Sequence, residues 1–168
     1  MDQDAKKTAL RMIPYGIYVA TADDGAGNIA AATVNWVTQT AFAPPLIAVG
    51  VKTDSGLYAT LTKSRRFALN MLGKGQQGLA FTFFKPAEVT SGLISGEAYT
   101  AGPASGAPVL ASASAHVECK VVEIVAQGDH HIVVGEVIGA GVAKPPEGRA
   151  DAAILEMKDL GDKVFYGG

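Results

Sequence analysis

The sequence of 168 residues contains one cysteine, Cys119, and three histidines. A single thiol excludes a disulfide within the chain. With so few imidazoles it cannot assemble the usual zinc or iron–sulfur ligand sets either, so no metal site is expected. Two signature loops are also missing: Gly-Lys-Ser/Thr and Gly-x-Ser-x-Gly. Their absence removes the usual P-loop and hydrolase elbow. Gly73-Lys74-Gly75 lacks the P-loop spacing and reads as a turn. The longest apolar stretch, Ile29 to Val37, is interrupted by Thr33 and Asn35 and falls far short of the ~20 residues of a membrane helix. Charge of one sign is lacking too: 14 basic residues face 16 acidic ones, for a net charge of −2. The pairs Lys6-Lys7 and Arg65-Arg66 are too scattered to grip a phosphate backbone, so no nucleic-acid partner is expected. The acidic start, Met1-Asp2-Gln3-Asp4, has no signal-peptide pattern, and a cytoplasmic protein without membrane contact is the expectation.

What is present has a globular balance, 48% hydrophobic and 18% charged, at a length that predicts one domain over residues 1–168. The 20 glycines and 28 alanines permit close backbone approach, though a GC-rich genome yields the same bias. Apolar residues at helical spacing predict a helix over 5–13, closed by Pro14. Strands are predicted over 15–22 and 29–40 as a hairpin around Asp23 to Asn28, then over 46–51 after the Pro44-Pro45 stop. A helix capped at Asp54 or Ser55 runs to about Lys63, followed by a strand at 67–72 and a helix at 75–84. Residues 85–107 read as loop. The clearest hairpin pairs 112–127 with 130–142 about the turn at Gly128-Asp129. Six or more strands linked mostly by short turns, with two helices inserted mid-chain, predict a mainly β fold closed into a barrel.

Several segments carry polar groups where a core strand would be aliphatic. Thr33, Asn35, Trp36, Thr38 and Gln39 either face water along a half-exposed strand or pair with a polar ligand inside the barrel. Val51-Lys52-Thr53-Asp54-Ser55 joins a strand to a helix; the junction is an ordinary N-cap or an anion site built from free N–H groups, a hydroxyl and an ammonium. Phe81, Phe83 and Phe84 before Lys85 are core, or the wall of a planar ring. His130, beside Asp129, is a turn residue or a proton-relaying imidazole. His130 and His131 cannot share a metal, because successive strand residues point to opposite faces. Cys119, mid-strand on an apolar face, reads as buried filler.

Taken in order, these segments resemble the flavin reductase-like, FMN-binding split β-barrel family. The likeness runs from Tyr15-Gly16-Ile17-Tyr18 through Thr33-Val34-Asn35-Trp36-Val37-Thr38-Gln39-Thr40 and Pro44-Pro45-Leu46-Ile47-Ala48-Val49. It continues with Phe67-Ala68-Leu69-Asn70-Met71-Leu72, Gly106-Ala107-Pro108, Cys119-Lys120-Val121 and Gly128-Asp129-His130. Within that family the chain is similar to the reductase domain fused to flavodiiron proteins, sharing Trp-Val-Thr-Gln and Phe-Phe-Lys-Pro.

The resemblance implies a Greek-key-like split barrel with a few inserted helices. It further implies a homodimer with FMN (or FAD) at the interface, NADH or NADPH as electron donor, and an optional redox partner protein. Carried over by position, Thr33, Val34, Asn35, Trp36, Val37 and Thr38 would lie along the flavin ring, with Asn35 at its polar edge. Gly50, Val51, Lys52 and Ser55 would hold the phosphate, while Phe83, Phe84 and Lys85 would approach the ring. His130 would be the residue nearest the nicotinamide as it passes a hydride to the flavin. The alternatives are an FMN-carrying electron-transfer module that does not oxidise NAD(P)H quickly, and a barrel that binds another small ligand. One departure is the C-terminal segment Met157 to Tyr166, which lacks the Pro-Leu-x-Tyr ending of many stand-alone members. Another is that Thr33 and Trp36 stand where many members have smaller residues.

Overall fold

The computed structural model describes residues 1–168. In chain order the elements are α1 (Gln3–Arg11), β1 (Tyr18–Asp23), β2 (Ile29–Val34), β3 (Val37–Ala41) and β4 (Leu46–Lys52). Then come α2 (Gly56–Ser64), β5 (Arg66–Met71), α3 (Gln77–Thr82), β6 (Val89–Thr90), β7 (Leu93–Ile94), β8 (Glu97–Ala101) and β9 (Pro108–Leu110). The long strands β10 (Ala115–Val125) and β11 (His130–Val142) follow, and two short 3₁₀ turns lie at Ala150–Ala152 and Met157–Leu160.

Seven strands form one antiparallel sheet in the order β2-β1-β5-β10-β11-β4-β3. Its two outer strands, β2 and β3, are consecutive in the chain with only Asn35 and Trp36 between them. The sheet must therefore curl until its edges meet, closed by a covalent link where a ladder would otherwise run. This is a split barrel, as expected, but the single strand predicted over 29–40 is two. Its halves pair with β1 and β4, at opposite edges of the sheet, so the chain kinks between them. At the kink the Val37 N–H donates back to the Asn35 carbonyl at 3.1 Å.

The barrel interior is filled by Val49, Val51, Phe67, Leu69, Cys119, Val121 and Val133, with Leu57 and Leu61 of α2 plugging it. The clearest sequence-level hairpin, β10–β11, forms with bulges at Glu118/Cys119 and Val121/Glu123. Its close approach to β5 depends on Gly135: a Cβ there would sit 2.7 Å from the buried Phe67 ring.

β1 is buried on both faces. Its outer face, with Ile17 and Val19, joins Leu72, Phe83, Ile94, Leu110, Leu155 and Leu160 in a second core. That core lies beneath a small sheet of order β6-β7-β8-β9, where only loop was expected over 85–107. The cause is turn chemistry: Ser91-Gly92 and Ser95-Gly96 all have positive φ, the signature of tight two-residue hairpin turns. The first helix starts earlier than its apolar pattern suggests, because Asp2 accepts hydrogen bonds from the Asp4 and Ala5 N–H groups. It buries no residue, and Leu10, Met12 and Ile13 remain exposed. No helix is long and apolar enough to cross a membrane.

Candidate functional site

A cavity of about 290 Å³ opens at the seam where β2 leaves the sheet. Ten of the fourteen residues singled out by sequence line it: Thr33, Val34 and Asn35 from the end of β2, Gly50, Val51 and Lys52 from the end of β4, Ser55, Phe83, Phe84 and His130. Four do not. Val37 and Thr38 belong to β3, beyond the kink, and line a separate concavity with Tyr18, Leu69 and Met71. Lys85 is exposed beyond α3, outside the cavity. Trp36 lies behind the cavity wall and is not part of its lining.

The seam explains why these groups converge. Strand β2 lacks a ladder partner on its open side, and its Thr33 N–H donates instead to the Phe83 carbonyl at 3.0 Å. The Thr33 hydroxyl donates to the Ala80 carbonyl at 2.7 Å. Both bonds pull α3 onto the seam, bringing Phe83 and Phe84 to the cavity. The Thr33 hydroxyl is thereby committed to structure. Asn35, 4% exposed, holds its amide at the kink. Across the seam the Gly50 N–H donates to the Trp36 carbonyl at 2.8 Å, and the indole ring lies flat against Gly50. The indole Nε1 is buried with no hydrogen-bond partner.

At the β4–α2 junction Ser55 caps the helix, accepting from the Tyr58 N–H at 3.1 Å and donating to the Lys52 carbonyl at 2.7 Å. The N–H groups of Gly56 and Leu57 find no acceptor within the protein, so the start of α2 presents free donors. Lys52 stands beside them, half-exposed. Its ammonium lies 3.1 Å from Asp54, and that hydrogen bond holds the lysine pKa above its ordinary value.

His130 opens β11 directly across from Lys52. Its Nδ1 lies 3.0 Å from Asp129 Oδ1 and its Nε2 2.7 Å from the Tyr166 hydroxyl. The bond to His130 holds the Asp129 carboxyl below the usual carboxylate range. In the tautomer whose Nδ1–H donates to the Asp129 carboxylate, Nε2 accepts from the Tyr166 hydroxyl. His131 faces away, its Nδ1 2.6 Å from the Tyr58 hydroxyl, as strand alternation requires. Cys119 is fully buried in the barrel, and burial pushes its thiol up to about 12, which makes it inert.

The sequence reading missed the C-terminal contribution. Val164, Phe165 and Tyr166 line the cavity together with Met157, Ile17 and Leu57. The one available signal was an adjacent aromatic pair, Phe165-Tyr166, set among Gly161, Gly167 and Gly168 in an otherwise polar ending.

Apolar walls from Ile17, Val51, Leu57 and Phe83, a buried amide, and free N–H groups beside an ammonium together suit a flat heteroaromatic ring carrying an anionic tail. They therefore fit a flavin mononucleotide.

Several known proteins resemble this chain. The chain is 31% identical over 136 residues to the stachydrine N-demethylase reductase subunit of Rhizobium meliloti, a match covering 81% of this chain and 57% of that protein. It is 33% identical over 145 residues to diflavin flavoprotein A 1 of Synechocystis, covering 86% of this chain and 25% of that one. The chain thus spans little more than half of the first relative and a quarter of the second. Among solved structures, the NADH:FAD oxidoreductase of Streptomyces globisporus C-1027 superposes with a TM-score of 0.67 at 32% identity, covering 77% of this chain and 76% of that one. The flavin reductase like domain matches residues 10–157, from the last turn of α1 to the final 3₁₀ turn, and the chain belongs to that family.

Proposed function

We propose that the protein is an NAD(P)H-dependent flavin reductase that binds FMN, with FAD as an alternative, in the seam cavity. The observation that carries this reading is the convergence of Asn35, the free donors at the start of α2, and His130 on one apolar-walled cavity. The NADH:FAD oxidoreductase it resembles adds weight. Bound flavin supplies the two-electron chemistry. The chain's own residues hold the ring and exclude water through Val51, Leu57 and Phe83, and fix its polar edge through the Asn35 amide. Gly56 and Leu57 donate N–H groups to the phosphate, and Lys52 offsets its charge. His130, buttressed by Asp129, orients the nicotinamide or assists proton movement through Nε2. No side-chain nucleophile is required.

Residues 1–168 act as a single domain in this reading, in the cytoplasm where nicotinamide nucleotides are available. A homodimer is supported by exposed apolar side chains near the seam and beyond it: Met12, Ile13, Phe42, Phe81 and Phe84. The relative from Rhizobium meliloti is a reductase subunit, so a redox partner protein is part of the proposal.

The test is the absorption spectrum of the FMN-reconstituted protein before and after anaerobic NADH, then NADPH. Rapid bleaching by either nucleotide is expected, and His130→Ala should slow it while leaving FMN bound. A bound flavin that neither nucleotide bleaches would refute the reductase and leave an electron-transfer module. A protein that binds no flavin would refute both.

A further inference from the structure

The two side chains best placed to recognise the ring and its reductant are both bonded to one residue of the C-terminal tail. The Asn35 Nδ2 donates to the Tyr166 carbonyl at 3.1 Å, and His130 Nε2 meets the Tyr166 hydroxyl at 2.7 Å. The three rings of Trp36, His130 and Tyr166 pack on one another, with centroids 4.6 to 5.7 Å apart. Beyond Tyr166 the tail crosses Trp36, with Gly167 against the indole nitrogen.

Apart from Val164, which packs against the second core, little else holds the tail. The only backbone hydrogen bond in residues 162–168 is a local turn, Val164 N–H to the Gly161 carbonyl. Arg11 lies 4.1 Å above the Phe165 ring and makes a long contact of 3.4 Å to the Gly167 carbonyl. Gly161, Gly167 and Gly168 all have positive φ, so both ends of the segment pivot at residues without a Cβ. Closure also carries a penalty, because the Trp36 Nε1–H beneath it is dry and unpaired. With Phe165 and Tyr166 in place the cavity is about 290 Å³, at the lower end of the roughly 300–1,000 Å³ typical of small-molecule sites.

We propose that residues 161–168 form a strap that competes with the flavin, Tyr166 occupying the hydrogen-bonding positions of Asn35 and His130 until the ligand displaces it. This rests on the flavin reading of the cavity, and it concerns a segment beyond the residues the family match covers. Because the Asn35 amide that holds the strap is the group assigned to the flavin's polar edge, flavin binding and opening are one equilibrium, and opening also frees His130 for the nicotinamide. A site competent in roughly one molecule in ten binds about tenfold more weakly than an open one.

Trp36 is the only tryptophan and reports the strap without any ligand. The experiment compares the full chain, a truncation after Val164, and Tyr166→Ala. It reads iodide quenching of Trp36 in the absence of flavin, then FMN affinity by flavin fluorescence. Both variants should expose Trp36 to iodide. The truncation should bind FMN about tenfold more tightly, and Tyr166→Ala should achieve part of that gain. If Trp36 is no more accessible after truncation, the tail does not cover it and the proposal falls. If Trp36 is exposed but FMN binds no tighter, or more weakly, the tail is a wall of the site and the proposal also falls. Absence of FMN binding by every form overturns the flavin reading and the competition with it. That outcome is distinct from failure of the strap alone, in which the full chain binds FMN and truncation brings no gain.

Discussion

The contact between Gly50 and Trp36 sets the shape of the seam, and alanine at position 50 tests it. A Cβ on Gly50 would stand 3.1 Å from the indole Cε3 and 3.2 Å from the Trp36 Cβ, against an optimum near 3.5–4.0 Å. The Gly50 N–H bond to the Trp36 carbonyl ties the two backbones together, so they cannot separate freely. On another side the indole is hemmed in by His130 and Tyr166. Relief must come from tilting the ring into those neighbours. Overpacking of this kind costs about 1–3 kcal/mol. At roughly 2–4 °C per kcal/mol for a chain of this size, Gly50→Ala should lower Tm by about 2–12 °C. It should also shift Trp36 emission and weaken FMN binding. Gly56→Ala is the control: its Cβ would meet nothing within 4 Å, and a Gly-to-Ala change in unstrained helix is neutral or mildly stabilising. Thermal melts of both variants, with tryptophan emission read at 25 °C, decide the matter. A Gly50→Ala protein with the parent's Tm and emission would refute the close packing of the seam.

Two further perturbations probe what surrounds it. Glu118, 1% exposed, accepts hydrogen bonds from the Ala104 N–H (3.0 Å), the Ser105 N–H (2.6 Å) and the Ser105 hydroxyl (2.7 Å), so Glu118→Ala strands buried donors. A loss of about 3 kcal/mol in urea unfolding is expected, with Glu118→Gln losing less; a loss under about 0.5 kcal/mol would show that water replaces the carboxylate. Lys74 joins the loop after β5 to the last 3₁₀ turn through Asp159 (2.5 Å) and Glu156 (3.3 Å). The Lys74 bond holds Asp159 below the usual carboxylate range, and Lys158, then Lys74, does the same for Glu156. A carboxylate with a depressed folded-state pKa contributes stability above its unfolded value, near 4, and loses it as pH falls through the folded value. Lys74→Met should therefore melt on the order of 1–2 °C below the parent at pH 7, and the gap should close as pH falls below the ordinary carboxylate range. A gap that persists unchanged to pH 2.5 would mean the lysine acts by packing.

The parts of this molecule visible in its sequence are those set by local pattern. Alternation of Val117, Cys119 and Val121 against His116, Glu118 and Lys120 was enough to place β10, and Gly128-Asp129 was enough to fold it back on β11. Asp54 or Ser55 announced the start of α2, and of the two Ser55 is the cap. The break at Asn35-Trp36 was hidden, because both flanking segments have strand composition. What separates them is a choice of neighbours, β1 on one side and β4 on the other, decided by the whole sheet. The same break carried Val37 and Thr38 to another surface. The tail was hidden for a related reason: Tyr166 acquires its place through Asn35, 131 residues earlier, and His130, 36 residues earlier. The small sheet over 89–110 was within reach, since Ser91-Gly92 and Ser95-Gly96 are hairpin turns in plain sight.

The location of the site follows from the defect in the barrel. A sheet whose edges are joined by two residues cannot complete its ladder there, and buried backbone groups left without partners must be satisfied by other means. Some are taken up by the fold itself, as when Phe83 accepts from Thr33 and Trp36 accepts from Gly50. What strand pairing does not satisfy lies at the seam: the first N–H groups of α2, which have no acceptor within the protein, and the Asn35 amide and His130 imidazole, which are bonded to Tyr166 of the tail. A polar, planar ligand is the natural complement to that set. Closing the seam with regular strand pairing would satisfy the backbone and abolish the cavity in the same act. A tail attached through side chains, by contrast, closes it with bonds that a ligand can replace one for one. The irregularity that makes this barrel imperfect is thus what leaves the cavity in its wall.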